Sequence, residues 1–307
     1  MTRRAAWFVL ALIGLAGALP LLAPYEPGRT FRDYLHAPPM RPELSGAVHP
    51  LVLADRLEQR YEADPSRTVP LPWFGAAGDT PVFLLGSDSF GRDVFSRLLY
   101  GARTSIGLAL MATLGAITIG ALAGAWAGYR GGWIDESVMR VADFVLVLPV
   151  IYVVLVLRAV LPLVLPASTV FLLVSWIFVA VGWPFVAKGV RAIVATERDR
   201  EYVQAAQSLG AGPLRILVHH LIPACAGYLI VQATLLLPAF IIAEATLSFV
   251  GLGFPDPVAS WGTMLSETAN IGSVARFPWT LAPAAAIFLV VLGTNLLTTE
   301  RSPQHRL

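Results

Sequence analysis

Between Thr104 and Gly128 the chain runs for 25 residues without a charged side chain. As an α-helix that run would reach about 37 Å, more than the roughly 30 Å of a bilayer's hydrocarbon core. Only helices and closed barrels satisfy their backbone inside lipid, so this stretch commits the chain to a membrane helix. Five further apolar runs repeat the signal: Ala5–Tyr25, Phe144–Leu157 (extending back through Asp143 to Val141 and Met139), Ala159–Ala187, Leu221–Ala243 and Phe277–Thr299. Within Ala159–Ala187, Pro162 and Pro166 mark a loop and the start of the span proper. The expected fold is an all-α membrane protein with six transmembrane helices. Composition agrees, with 56% hydrophobic and 14% charged residues and a mean hydropathy of +0.67. A soluble domain carries roughly 25% charged residues.

The first run could be mistaken for a signal peptide, because Arg3 and Arg4 precede it. Its 21 uncharged residues exceed the apolar core of such a peptide, and Leu19–Ala23 offers no clean small-x-small cleavage site. It is read as a span. With the N-terminus inside, eleven Arg and Lys residues fall on the inner side, and the two short outer loops hold only Arg158 and Arg276. The positive-inside rule then places both termini in the cytoplasm.

Residues 26–81 depart from a compact bundle. They hold nine of the 23 prolines, a density unsuited to long helices. Leu53, Leu57 and Tyr61 recur at i, i+4 and i+8, so about three turns near Leu51–Glu62 are expected to form an amphipathic helix. The segment retains Trp73, Phe74, Val82 and Phe83 and reads as an ordered insertion outside the cytoplasm, either with a role of its own or as a variable loop. The expected organisation is a first span over 1–25, an extracytoplasmic segment over 26–103, a five-helix core over 104–299 that includes a cytoplasmic loop at 198–220, and a short cytoplasmic tail over 300–307.

Several chemistries are excluded. Lys188 is the only lysine, with no glycine pattern before it and no hydroxyl residue after it, so a P-loop is absent. If ATP drives this chain, another polypeptide binds it. Cys225 is the only cysteine and the five histidines are scattered, so no metal-ligand spacing arises. A net charge of +2 gives no basic field for nucleic acid.

The cytoplasmic loop carries the most legible site. Asp199 to Leu209 is expected to be a helix with Tyr202, Ala206 and Leu209 on one face, stopped by Gly210 and Gly212-Pro213. A second short helix then leads into the fifth span. Small residues at Ala205 and Ala206 allow close approach, and Arg198, Asp199, Arg200 and Glu201 would form a polar rim. The loop is either a docking element for a partner or a solvated connector.

The run from Glu201 to Pro223 resembles the E-A-A-x3-G-x9-I-x-L-P loop of ABC importer permeases. Ala205, Ala206, Gly210 and Pro223 match, whereas Gln204 stands for the glutamate, His220 for the first aliphatic residue and Ile222 for the leucine. Leu85–Arg103 is similar to the L-G-T-D-x-x-G-R-D-x-x-S-R-x-x-Y-G-A-R run of dipeptide/oligopeptide importer permeases. Gly128–Glu136 with Met139–Asp143 resembles that family's G-Y-x-G-G-x-x-D-x-x-x-M-R-x-x-D block. Ala243–Gly253 with Ser260–Leu265 resembles its A-E-x-x-L-S-F-L-G-L-G…S-W-G-x-M-L segment. The four blocks stand in the family's order and point to the second of its two permease types. The chain departs from the pattern in a longer 26–81 insertion and in Thr298-Thr299-Glu300-Arg301, where G-D-x-L-R-D is usual.

The resemblance implies a permease subunit in the inner membrane that forms half of a peptide pathway. It implies a heterodimer with a homologous permease, two cytoplasmic ATP-binding subunits carrying ATP and Mg, and an extracytoplasmic solute-binding protein. No catalytic residue, cofactor or metal is expected in this chain. The ATPase-coupling residues would be Glu201, Tyr202, Gln204, Ala205, Ala206, Leu209, Gly210 and Pro223; Gln204 keeps hydrogen-bonding capacity but loses the charge. Asp88, Arg92, Asp93 and Arg97, before the second span, are candidates for binding-protein docking, or for a charge-paired helix on the outer face with Phe90, Val94, Phe95, Leu98 and Leu99 as its apolar side.

Asp143 and Arg140 are expected to form an ion pair at the inner end of span three. Glu244 interrupts an apolar run and, with Ser248, is a candidate for the pathway or its outer gate; the alternative is that Glu244 pins the Gly251-Leu252-Gly253 turn through backbone N–H groups. Small residues such as Gly120 and Gly124 suit close helix packing within the chain. Nickel or another small solute is the alternative cargo. A secondary transporter would need paired charges at mid-membrane, which the nearly charge-free spans lack.

Overall fold

The structure is a computed structural model and describes residues 14, 16–43, 46–55, 59–71, 80–149, 152–153, 156, 165–269 and 271–299. About half of the expected first span, Ala5–Tyr25, lies outside the described residues; its end turns through a 3₁₀ segment, Leu19–Leu22, at Pro20.

Among the described residues, four helical segments are long and apolar enough to cross a membrane: Val94–Arg130, Ala167–Glu197, Ala226–Phe249 and Pro278–Leu296. The first is α1 (Val94–Arg130), followed by α2 (Gly132–Val147) and α3 (Ala167–Glu197). The loop expected between spans four and five holds α4 (Glu201–Ser208) and α5 (Pro213–Ile216). Then come α6 (Ala226–Phe249), α7 (Trp261–Ser266), α8 (Ile271–Arg276) and α9 (Ala282–Thr299), the last led by a 3₁₀ turn at Pro278–Leu281. The third expected span is seen only as α2, which ends at Val147; most of 150–164 lies outside the described residues.

Asp93 starts α1 by accepting the Ser96 backbone N–H at 2.8 Å and its hydroxyl at 2.6 Å. From there the helix runs unbroken for 37 residues. The separate surface helix expected around Phe90–Leu99 is therefore the first turns of α1, because nothing after the Asp93 cap breaks it. Gly120, Gly124 and Gly128 face α3 so closely that an added Cβ would lie 2.5 Å from Val186, 2.3 Å from the Ala187 carbonyl and 2.6 Å from the Arg191 carbonyl. The small-residue seam thus packs two helices of the same chain. Pro166 sits at the start of α3, as expected.

Pro184 in α3 and Pro238 in α6 stand inside their helices. They lie at one level, where Phe178 stacks on Phe240 at 5.3 Å and Gly182 leaves room for the Phe240 ring.

The described residues between 26 and 93 form a second folded unit with its own core of Ala37, Met40, Val48, Leu51, Val82 and Phe83. Strands β1 (Ala47–Val48) and β4 (Val69–Pro70) pair antiparallel, as do β2 (Leu51–Asp55) and β3 (Arg60–Ala63). The β2–β3 hairpin replaces the expected amphipathic helix. Leu53 and Tyr61, taken as neighbours two helical turns apart, are directly opposed cross-strand partners. Either arrangement puts them on one face, and the periodicity did not distinguish the two. Val82 and Phe83 are buried, in line with an ordered segment, while Trp73 and Phe74 lie outside the described residues. The unit is tied to the bundle: Val82 N–H donates to the Tyr25 phenol at 2.7 Å, Tyr25 N–H donates in turn to Ser96 Oγ at 3.1 Å, and Trp279 Nε1 donates to the Ser87 carbonyl at 3.0 Å.

Candidate functional site

Three sites follow from the sequence, and the first is the 198–223 loop. Arg200 leads into α4, and the helix ends where Gly210 takes φ +82°. That left-handed conformation lets Ala211 N–H return to the Ala206 carbonyl at 3.0 Å. Gly212-Pro213 opens α5, and Leu217–Leu221 continues it as a π-helical turn. Pro223 has no N–H to bond the His219 carbonyl, and Ile222 N–H reaches back to Leu217 instead.

The buried stripe of α4 is Val203 and Ala206, not Tyr202, Ala206 and Leu209. Those two lie three apart and face the bundle, which turns Leu209 outward at 88% exposure and leaves Tyr202 at 42%. Leu214, at 71%, is exposed on the other side of the Gly210 turn from Leu209. Glu201, Gln204, Ala205 and Pro223 are also exposed. Gln204 Nε2 donates to the Asp199 carbonyl at 3.1 Å, so its amide serves the loop itself. Tyr202 donates its phenol to Glu197 Oε2 at 2.8 Å; burial, and then this bond, raise its pKa.

At the opposite end, Asp88, Arg92, Asp93 and Arg97 are all buried. Arg92 Nε donates to Asp88 Oδ2 at 2.6 Å, Nη1 to Asp256 Oδ1 at 3.0 Å and Nη2 to Glu267 Oε1 at 2.6 Å. Arg97 Nη2 adds a second bond to Glu267 Oε1 at 3.1 Å. The side chains expected to meet a partner thus face inward and tie the start of α1 to the loops at 256 and 267. Asp88 and Arg92 are spaced i, i+4, but they close a turn ahead of α1. Burial pushes the Glu267 carboxyl up to about 7, helped by Asp88 and opposed by Arg97 and Arg92; burial also pushes Asp93 up to about 6.

Glu244 is 1% exposed near the end of α6. It accepts the Ser105 hydroxyl at 2.7 Å and the Ser248 hydroxyl at 2.7 Å. Ser105 Oγ in turn accepts the Trp261 backbone N–H at 3.1 Å, at the start of α7. Glu244 does not pin the glycine turn. That turn closes through Gly251 N–H to Ser248 and Leu252 N–H to Leu247. The carboxylate joins α1, α6 and α7 instead.

The expected Arg140–Asp143 pair is not formed. Arg140 pairs with Glu136, one turn earlier on α2, and Asp143 pairs with Lys188 on α3. A Glu four residues before an Arg is the better-oriented helical pair, which frees Asp143 to reach across to α3. Arg191 Nε likewise bonds Asp135 Oδ1 at 2.9 Å, so α2 is held to α3 at two levels.

Residues 116–299 match the sequence profile of the "Binding-protein-dependent transport system inner membrane component" family. The chain belongs to this family. Its membership covers α1 from its middle onward, the 198–223 loop and α9. The oligopeptide transport system permease protein OppC of Bacillus subtilis (strain 168) is 38% identical over 213 residues, covering 69% of this chain and 67% of that one. The di/tripeptide transport system permease protein DppC of Pseudomonas aeruginosa (strain UCBPP-PA14) is 32% identical over 292 residues, covering 94% of this chain and 82% of that one. At 94% coverage, similarity to the latter extends into the 26–93 unit. A solved structure of the MetNI methionine ABC transporter in inward-facing conformations aligns with a TM-score of 0.48 and 16% identity, over 66% of this chain and 95% of that one.

Sequence reasoning missed Ser105, Glu197, Val203 and Glu267. Ser105 gave no signal inside its charge-free run. Glu267 stands six residues after Trp261 in the last family block, a lone carboxylate far in sequence from the 88–97 cluster that already held two arginines.

Proposed function

We propose that this inner membrane component is the transmembrane permease subunit of an ATP-binding-cassette importer of peptides, supplying half of the translocation pathway. The observation that carries this reading is the loop at 198–223: four matches to the importer motif fold as helix, left-handed glycine turn and helix, with Leu209 and Leu214 exposed on either side of Gly210 and Tyr202 exposed at the start of α4. An exposed apolar patch with small neighbours suits a groove on a separate ATP-binding subunit. The peptide cargo is taken from the named relatives; nickel or another small solute remains the second reading on the same machinery.

In this reading the full bundle has six spans, both termini are cytoplasmic, and the 26–93 unit stands outside the cytoplasm. Its partners are a homologous permease, two ATPases that hold ATP and Mg, and a solute-binding protein. Asp88, Arg92, Asp93 and Arg97 would shape the outer surface indirectly, through the loops they hold. Closure of the ATPases would bind one arrangement of the loop better than the other and so drive the switch.

Co-purification tests the coupling assignment. Replacing Ala206 and Gly210 with Arg should abolish retention of the ATPases while the permease still reaches the membrane. Intact association and transport in that variant would sink the docking role. Uptake of a labelled tripeptide by the assembled system, with nickel as competitor, separates the two cargoes.

A further inference from the structure

We propose that Glu197 is a positioning residue that fixes coupling helix α4 to the end of α3, so that a push on α4 reaches the bundle through its carboxylate. The inference rests on the importer reading above and adds the element that transmits its motion. Glu197 is the last residue of α3, where the helix carbonyls already carry partial negative charge, so a carboxylate there is unfavourable for the helix itself. Both of its oxygens are turned to the loop. Oε2 accepts the Tyr202 phenol at 2.8 Å, and Oε1 lies 3.4 Å from Arg200 Nη2. Arg200 precedes α4 and Tyr202 is its second residue.

The rest of α4 has little hold on the bundle. Only Val203 and Ala206 are buried, and no side chain caps its N-terminus. The Gln204 and Ser208 side-chain bonds stay within the loop. Among the described residues, Tyr202–Glu197 is the only side-chain hydrogen bond from α4 to a membrane-spanning helix. The end of α3 is itself braced: Arg198 Nη1 donates to the Gly128 carbonyl of α1 at 3.2 Å, and Arg191 holds Asp135 of α2. Glu197 therefore stands between a weakly held lever and a helix end fastened to two neighbours.

The test uses the assembled complex in lipid nanodiscs, with solute moved per ATP hydrolysed as the readout and a labelled tripeptide as probe. Glu197→Ala and Tyr202→Phe should each lower the ratio by about 2- to 30-fold, the range expected of a residue on a coupling route. The double variant should fall no further than Glu197→Ala, because both changes remove one contact. Glu197→Gln keeps an oxygen that accepts from Tyr202 and should restore most of the ratio. Wild-type ratios in the single variants, or losses that multiply in the double variant, overturn the proposal.

A second measurement does not depend on the solute. Spin labels at Ala192 and Gln207, in a Cys225→Ser background, should give a narrow distance distribution that Glu197→Ala broadens. An unchanged distribution overturns the proposal. If the wild-type complex hydrolyses ATP but moves no tripeptide, the peptide reading fails, and the distance measurement decides the positioning role.

Discussion

Ser105 on α1 donates its hydroxyl to Glu244 on α6 at 2.7 Å, and the same oxygen accepts the Trp261 N–H that opens α7. Among the described residues Glu244 has hydroxyl partners and no cationic one. A buried acceptor satisfied by hydroxyls is costly to remove, because each donor left behind loses about 1–3 kcal/mol of desolvation with nothing returned. Glu244→Leu should therefore lower the thermal unfolding midpoint of the detergent-solubilised chain strongly, and Glu244→Gln, which still accepts a hydroxyl, much less. Equal midpoints for Glu244→Leu and wild type would show that the cluster is not a joint between α1, α6 and α7.

Gly189 on α3 gives a sharper test of packing. A Cβ built there would lie 2.2 Å from the Tyr228 phenol oxygen, and that phenol donates to the Phe185 carbonyl at 2.9 Å. Gly189→Ala should destabilise the fold by about 1–3 kcal/mol, the usual cost of overpacking. In a Tyr228→Ala background the same change should cost almost nothing, since the ring it strikes is gone. Additive losses, read from unfolding midpoints in a double-mutant cycle, would contradict this geometry.

Pro184 and Pro238 leave the Ala180 and Thr234 carbonyls without their usual helical N–H donors, at the level where Phe178 and Phe240 stack. The two missing ladder bonds weaken both helices near the plane where they pack, so the α3–α6 pair can bend there. Pro184→Ala and Pro238→Ala should each slow hydrogen exchange of the amides one turn on either side, and the pair together should slow it more. Exchange that is unchanged in both variants would remove the plane from consideration as a bending point.

Legibility followed the physics of each signal. The charge-free runs announced α1, α3, α6 and the last span, because lipid length and backbone satisfaction leave little choice. The 198–223 loop was legible because Gly210 and Gly212-Pro213 are local stops that act wherever they occur. Long-range partners were not. Asp143 had charged neighbours in its own sequence, yet its partner, Lys188, is 45 residues away. Leu53 and Tyr61 satisfied a helical period because a short hairpin folds the same two residues onto one face. Ser105 carried no signal at all, since a serine in an apolar helix looks the same with or without a buried carboxylate opposite it.

The Asp88–Arg92–Arg97–Glu267 cluster makes a prediction about pH. Glu267 is held at about 7 by burial and by Asp88, well above its ordinary value of 4.5. Between about pH 4.5 and 7 the folded chain thus keeps a proton that the unfolded chain has lost. The contribution of this group to stability is full below the unfolded value and is lost as pH rises through the folded one. Asp93, pushed up to about 6, acts in the same direction, whereas His36, whose pKa burial lowers, acts in the opposite one. The difference between Glu267→Gln and wild type isolates the residue from both. Near pH 4 the two should unfold at nearly the same temperature, because Glu267 is then protonated in both states and presents the same charge to Arg92 and Arg97 as a glutamine. By pH 8 the variant should be the more stable, since it never ionises beside Asp88. A difference that stays flat, or that turns against the variant as pH rises, would mean that the two arginines outweigh burial and that Glu267 is an ordinary ionised partner.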